Sequence, residues 1–157
     1  MTEPDYTLLR SQLVALIGSE PDALANAGNF VALIYGAMHD INWLGIYVLR
    51  GDELVLGPFQ GQPACVRLAV GQGVCGTAAA SLSTQRVADV HSFPGHISCD
   101  AASRSEIVVP LLIAGKLVGV LDIDSPSLNR FSAGDQTGIE LLCVTYCELQ
   151  AAHGGFI

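Results

Sequence analysis

Leu8, Leu9, Leu13, Leu16 and Ile17 recur three and four residues apart, a spacing that predicts an amphipathic helix over Tyr6–Ile17. Leu24, Ala25, Phe30, Leu33, Ile34 and Ala37 continue the period. Pro21 suits a first helical turn, so a second helix is expected from Pro21 to about His39. From Asn42 the period falls to two. "NWLGIYVLR" and "ELVLGPFQ" flank Gly51-Asp52, a hairpin signal. "ACVRLAVG" predicts another strand, "VCGTAAASL" a short helix and "TQRVADV" a short strand. A loop over 91–104 leads to a strand at Ser105–Ile113, a turn at Ala114-Gly115 and the strand "KLVGVLDIDS". A closing helix runs from Ser132 to about His153, with Ser132 as its cap and Asp135 at the third helical position. No repeat, linker or low-complexity segment interrupts the chain. The order predicts one α+β domain over 1–157, with an antiparallel sheet and helices mainly on one face.

Alternation assigns faces. Residues two apart in a strand share a side, so Leu44, Ile46 and Val48 lie on one face, and Trp43, Gly45 and Tyr47 on the other. Asp122 and Asp124 likewise point together, opposite Leu121 and Ile123. Two acids on one side of an apolar strand either sit at its solvated end or line a functional site; the period does not choose.

The composition narrows the class. The chain has 157 residues, half of them hydrophobic, yet no run approaches the roughly 18 apolar residues of a membrane span. Glu3, Asp5, Arg10 and Glu20 fall where a secretory signal would need a basic start and an apolar core, so a soluble cytoplasmic protein is expected. Fifteen acids against seven bases leave a net charge of −8, which disfavours nucleic acid and anionic lipid as partners. Five cysteines without an export signal argue against a disulfide framework.

Chemistry concentrates in a few places. "GQGVCG", Gly71 to Gly76, is a literal G-x-G-x-x-G with Asp89 eighteen residues beyond its start, the outline of a dinucleotide site. The segment that follows is too short for a βαβ crossover, so the glycines are better explained by a tight turn and close approach of a ligand. Cys143 and Cys147 share a helix face with Ile139 and Leu142 and are expected in the core. No C-x-x-C pair exists, and the four histidines keep no ligand-like spacing to the thiols, so no metal site is expected. Cys65, Cys75 and Cys99 differ, since each lies beside glycine, proline or polar residues where a substrate or another thiol can reach it. In "HISCDAASRSEIVVP" Cys99 precedes Glu106, at the mouth of a β-branched strand, by seven residues.

"PACVRL", "GQGVCGTAA", "GHISCDAASRSEIVVP" and "GVLDIDSP", with their separations, resemble the free methionine-(R)-sulfoxide reductases, single GAF-domain enzymes. The likeness runs from about Trp43 to Asp135. It implies a GAF fold, Cys99 as the catalytic thiol, Cys65 as its disulfide partner and Cys75 as a secondary thiol. Glu106, Asp122 and Asp124 would line the substrate pocket with Trp43 and Tyr47. It further implies free methionine sulfoxide as substrate, thioredoxin as reductant, a homodimer and no cofactor. The chemistry is coherent: a sulfoxide becomes a good electrophile once its oxygen gains a proton, which clustered buried carboxyls can hold near neutral pH. Those same acids disfavour a thiolate at Cys99, an effect that Arg104 or a helix begun by "CDAAS" could offset. A GAF-type sensor of a small ligand such as a cyclic nucleotide, or a redox-switched binding module, are the alternatives.

Overall fold

Asp5 and Asp22 start the first two helices. Each accepts a hydrogen bond on its side chain, from the backbone N–H of Leu8 (2.9 Å) and Ala25 (2.8 Å) respectively, and so satisfies a donor that the first turn leaves free. In the computed structural model, which describes residues 3–157, these helices are α1 (Tyr6–Ile17) and α2 (Ala23–Ala37). The second begins two residues after the expected Pro21, because Asp22 rather than Glu20 caps it. It ends two residues before His39, where Met38 turns extended.

Six strands follow: β1 (Trp43–Arg50), β2 (Glu53–Gln60), β3 (Arg67–Ala69), β4 (Gln85–Val87), β5 (Ser105–Ile113) and β6 (Lys116–Ser125). They form one antiparallel sheet in the order β3-β2-β1-β6-β5-β4. α3 (Gly73–Ser81) lies between β3 and β4, and α4 (Ala133–Ala152) closes the chain. A 3-10 turn at Val90–Ser92, capped by Asp89, takes the last residue of the expected strand "TQRVADV" and the start of the expected loop. The strand expected over "ACVRLAVG" is real for three residues only: Ala64, Cys65 and Val66 stay outside it, Ala64 lining a cavity with Pro63 and Cys65 held in a disulfide.

The alternation along β1 holds. Leu44, Ile46 and Val48 pack with Phe30, Ile34, Ile139, Leu142 and Tyr146 beneath α1, α2 and α4. Trp43 and Tyr47 join Leu54, Val74, Cys75, Ala78, Val108 and Val120 on the face that α3 covers. A sheet covered on both faces reads as almost continuously apolar in β1, β5 and β6. Burial of the eight-residue strand β1 on both sides is worth on the order of 10 kcal/mol before entropy is charged against it. Cys143 and Cys147 are free, buried thiols of the first core, as their helical spacing implied.

Around Ser132 a capping box fixes α4. Its hydroxyl accepts from Asp135 N–H (2.9 Å), and its own N–H donates to Asp135 Oδ2 (3.0 Å). Asp135 also receives the Tyr6 hydroxyl (2.6 Å) and pairs with Arg130 (2.9 Å), which ties α1 to α4. No described helix is long and apolar enough to cross a membrane.

Candidate functional site

The face of the sheet under α3 carries the polar residues. Strand register sets them side by side: Trp43 opposite Asp124, Gly45 opposite Asp122, and Glu106 opposite Asp124 on the other flank. All five of Trp43, Tyr47, Glu106, Asp122 and Asp124 line one cavity, as do Cys75 and Cys99. The cavity holds about 550 Å³ of atom-free space, part of it open to solvent. The acids are therefore not at a solvated strand end. Glu106 and Asp122 are each 6 % exposed.

Glycine permits this packing. A Cβ on Gly45 would lie 2.4 Å from the Trp43 ring and 2.6 Å from Phe59 Cβ, so only glycine lets the indole fold back across its own strand next to Asp122. Trp43 stacks on Phe59 at 5.4 Å between centroids and lies 5.9 Å from Tyr47. Its Nε1 donates to Gln62 O (3.0 Å), and the Tyr47 hydroxyl donates to Cys65 O (2.8 Å). The two aromatic rings thus hold the segment that carries Cys65.

Cys65 joins Cys99 in a disulfide across 34 residues, with 5.4 Å between Cα atoms. The Cys99 loop is positioned by residues that periodicity did not single out. Asn42 Nδ2 donates to Asp100 Oδ2 (3.0 Å) and Ser103 Oγ (3.2 Å), and Asp100 Oδ1 accepts from Ala102 N–H (2.9 Å). An Asp directly after a loop cysteine is an Asx-turn signal that could have pointed to this. His96 and Ile97 complete the outer wall.

"CDAAS" forms the Asp100 turn and not a helix, and the Arg104 side chain is exposed and makes no ion pair among the described residues. The dinucleotide outline fails, since Gly71–Gly76 joins α3 to strands that pair antiparallel. Gly73, at φ +67°, serves the tight entry into α3 and touches the cavity against Ile97.

No Lys or Arg lines the cavity, and the acids respond to that. Burial raises the Asp122 carboxyl to about 6, while hydrogen bonding to Glu106 and Cys75 works against the rise. Burial first, and then the charges of Asp122 and Asp124, hold Glu106 well above the usual range. Asp124 is raised by burial and by Asp122 and Asp100. The Cys75 thiol is pushed up by burial and by the same three acids. Its Sγ lies 3.9 Å from Glu106 Oε1. A cluster like this holds protons at neutral pH because a low-dielectric pocket cannot carry several negative charges.

A GAF domain family model matches residues 29–146. The chain is 53 % identical over 137 residues to the free methionine-R-sulfoxide reductase of Escherichia coli, covering 87 % of this chain and 83 % of that protein. It is 46 % identical over 124 residues to the yeast (Saccharomyces cerevisiae) protein of the same name, covering 76 % and 69 %. A solved structure of fRMsr of Staphylococcus aureus in complex with substrate superposes with a TM-score of 0.90 at 46 % identity, over 96 % of this chain and 98 % of that one. An antiparallel six-stranded sheet with this site on its α3 face, and relatives at these identities over most of their length, place the chain in the GAF-domain family and, within it, among the oxidoreductases of the free methionine-R-sulfoxide reductase family.

Proposed function

We propose that this chain reduces free L-methionine-(R)-sulfoxide to methionine, with Cys99 as nucleophile and Cys65 as its resolving partner. The observation that carries the reading is the Cys65–Cys99 disulfide at the mouth of a cavity floored by Glu106, Asp122 and Asp124. In the reduced enzyme the Cys99 thiolate attacks the sulfoxide sulfur as a protonated carboxyl of the Glu106–Asp122 pair donates to its oxygen. The oxygen passes to Cys99, which becomes a sulfenic acid, and methionine leaves. The Cys65 thiol condenses with the sulfenic acid, releasing water and forming the disulfide. Thioredoxin, a dithiol, then exchanges with that disulfide and returns both thiols, being oxidised itself.

Carboxylate charge not spent on the proton holds the substrate ammonium. Trp43 and Tyr47 present the apolar wall for the S-methyl group, which sets the epimer. Burial of Glu106 supports its being protonated when substrate arrives. Cys75 is a secondary thiol on this scheme, since burial and neighbouring acids keep it protonated. Exposed Leu8 on α1 and Leu141 and Val144 on α4 support a homodimer.

A thioredoxin-coupled NADPH assay tests the scheme. The R epimer of the free amino acid should turn over, with little reaction of the S epimer or of sulfoxide in peptides. Cys99→Ser should abolish turnover, and Cys65→Ser should release one methionine per enzyme and stall. Undiminished turnover by Cys99→Ser would remove the proposal.

A further inference from the structure

Cys75, Glu106 and Asp122 reach one point from three elements, α3, β5 and β6. Each offers a donor atom within 4.8 Å of the other two. All three side chains are more than nine-tenths buried. Two features separate this trio from an ordinary group of acids. One donor is a thiol. In addition, Asp122 Oδ1 is buried with no hydrogen-bond partner, which is rare for a polar atom in a folded interior. A cation would satisfy it, and the cavity lining holds no Lys or Arg to do so.

We propose that Cys75, Glu106 and Asp122 form a binding site for a thiophilic divalent cation of the Zn²⁺ class, which closes the cavity to the amino-acid substrate. One thiolate and two carboxylates form a three-ligand set with the fourth position open to the cavity, where a water completes a tetrahedron. Ligand bonds of about 2.0–2.3 Å put the donors of such a tetrahedron roughly 3.3–3.8 Å apart, so the trio contracts by at most about 1.5 Å. The soft thiolate favours Zn²⁺ or Cd²⁺. Mg²⁺ and Ca²⁺ require six or more oxygen ligands that this pocket lacks. The ion displaces the protons that the three groups hold, and it occupies the space a substrate ammonium would enter. Cation binding stands on the cavity geometry alone; only the exclusion of substrate rests on the sulfoxide reading above.

The test uses the full chain with Cys65–Cys99 oxidised, so that only Cys75, Cys143 and Cys147 remain as thiols. Cd²⁺ is the probe, followed by its ultraviolet thiolate charge-transfer band. One equivalent should bind, in the wild type and in Cys143→Ser/Cys147→Ser alike, and Zn²⁺ should displace it. The band should vanish in Cys75→Ser, and affinity should fall at least tenfold in Glu106→Gln and Asp122→Asn. An absent band, or a band kept in Cys75→Ser, overturns the site. If circular dichroism shows Cys75→Ser unfolded, unchanged Cd²⁺ affinity in Glu106→Gln overturns it instead. Calorimetric binding of methionine sulfoxide to the oxidised protein should weaken in saturating Zn²⁺; unchanged affinity overturns the exclusion. A protein that binds Cd²⁺ this way yet turns over no sulfoxide would overturn the reductase scheme alone, and turnover without Cd²⁺ binding would overturn the cation site alone.

Discussion

Asp122 is opposite a glycine on one neighbouring strand and Val108 on the other, with Glu106 and Cys75 as its polar company. Its carboxyl has moved up to about 6 because burial penalises the charge. An acid raised in this way keeps its proton in the folded state after the unfolded chain has lost it. The unfolded chain then binds fewer protons, so stability falls as pH rises. For Asp122 that loss starts near its ordinary 3.8 and is complete a little above 6, and Glu106 and Asp124 extend it upward. His96, lowered by burial and by His91, and the partly exposed Asp89, lowered by the His91 N–H, pull weakly the other way. Urea midpoints should therefore drop between about pH 4.5 and about pH 7.5, and Asp122→Asn should flatten the profile. A wild-type midpoint that climbs over this range would contradict the buried-acid account. The same chemistry predicts that Glu106→Gln lowers kcat by roughly a hundredfold or more, the usual loss of a general acid, in single-turnover methionine release.

Among the elements, β1 does the most to make the site, and its glycine is the sensitive point. Gly45→Ala places a methyl within 3 Å of both Trp43 and Phe59, so the indole must leave its position beside Asp122. Overpacking of this kind costs about 1–3 kcal/mol. The expected result is a raised KM together with a shifted Trp43 emission, Trp43 being the single tryptophan of the chain. Unchanged emission and KM would show that the ring is not held as described. Farther from the site, Ser132→Ala removes an N-cap and should cost about 1 kcal/mol in equilibrium unfolding with kcat unaltered. Alternation had assigned the two faces of β1 and β6 correctly, because a period of two is a local property of extended backbone. It overextended β3, where Ala64 and Cys65 fell within the expected strand but the Tyr47 hydrogen bond to Cys65 O and the disulfide hold that segment off the ladder.

For the whole molecule, the disulfide is a constraint as well as a state of the proposed cycle. Joining residues 34 apart removes loop entropy from the unfolded chain worth roughly 3–4 kcal/mol. The reduced protein, the form that meets substrate on the proposed scheme, should unfold at lower denaturant by about that free energy, measured on oxidised and reduced protein side by side. Equal stabilities would mean that the oxidised native state carries strain that cancels the gain. Three helices on one face and α3 on the other leave the cavity roofed by a short helix and two loops. These are the parts whose packing the Cys65–Cys99 bond ties together.

Local chemistry in the chain determined a good deal: the helix starts at Asp5, Asp22 and Ser132, the hairpin turns, the inward faces of β1 and β6, and the spacing of thiols and acids that carried the family likeness. These depend on residues within a few positions of one another, where sequence distance and spatial distance agree. The cavity, the Asn42–Asp100 brace and the meeting of Cys75 with Glu106 and Asp122 depend on strand order and on α3 lying over the sheet. Cys75 and Glu106 are 31 residues apart in the chain, and only the antiparallel register of β5 and β6 under α3 brings them to 3.9 Å. Whether paired aspartates at a strand end are solvated or buried is likewise decided by what packs over them, and here tertiary structure covers them.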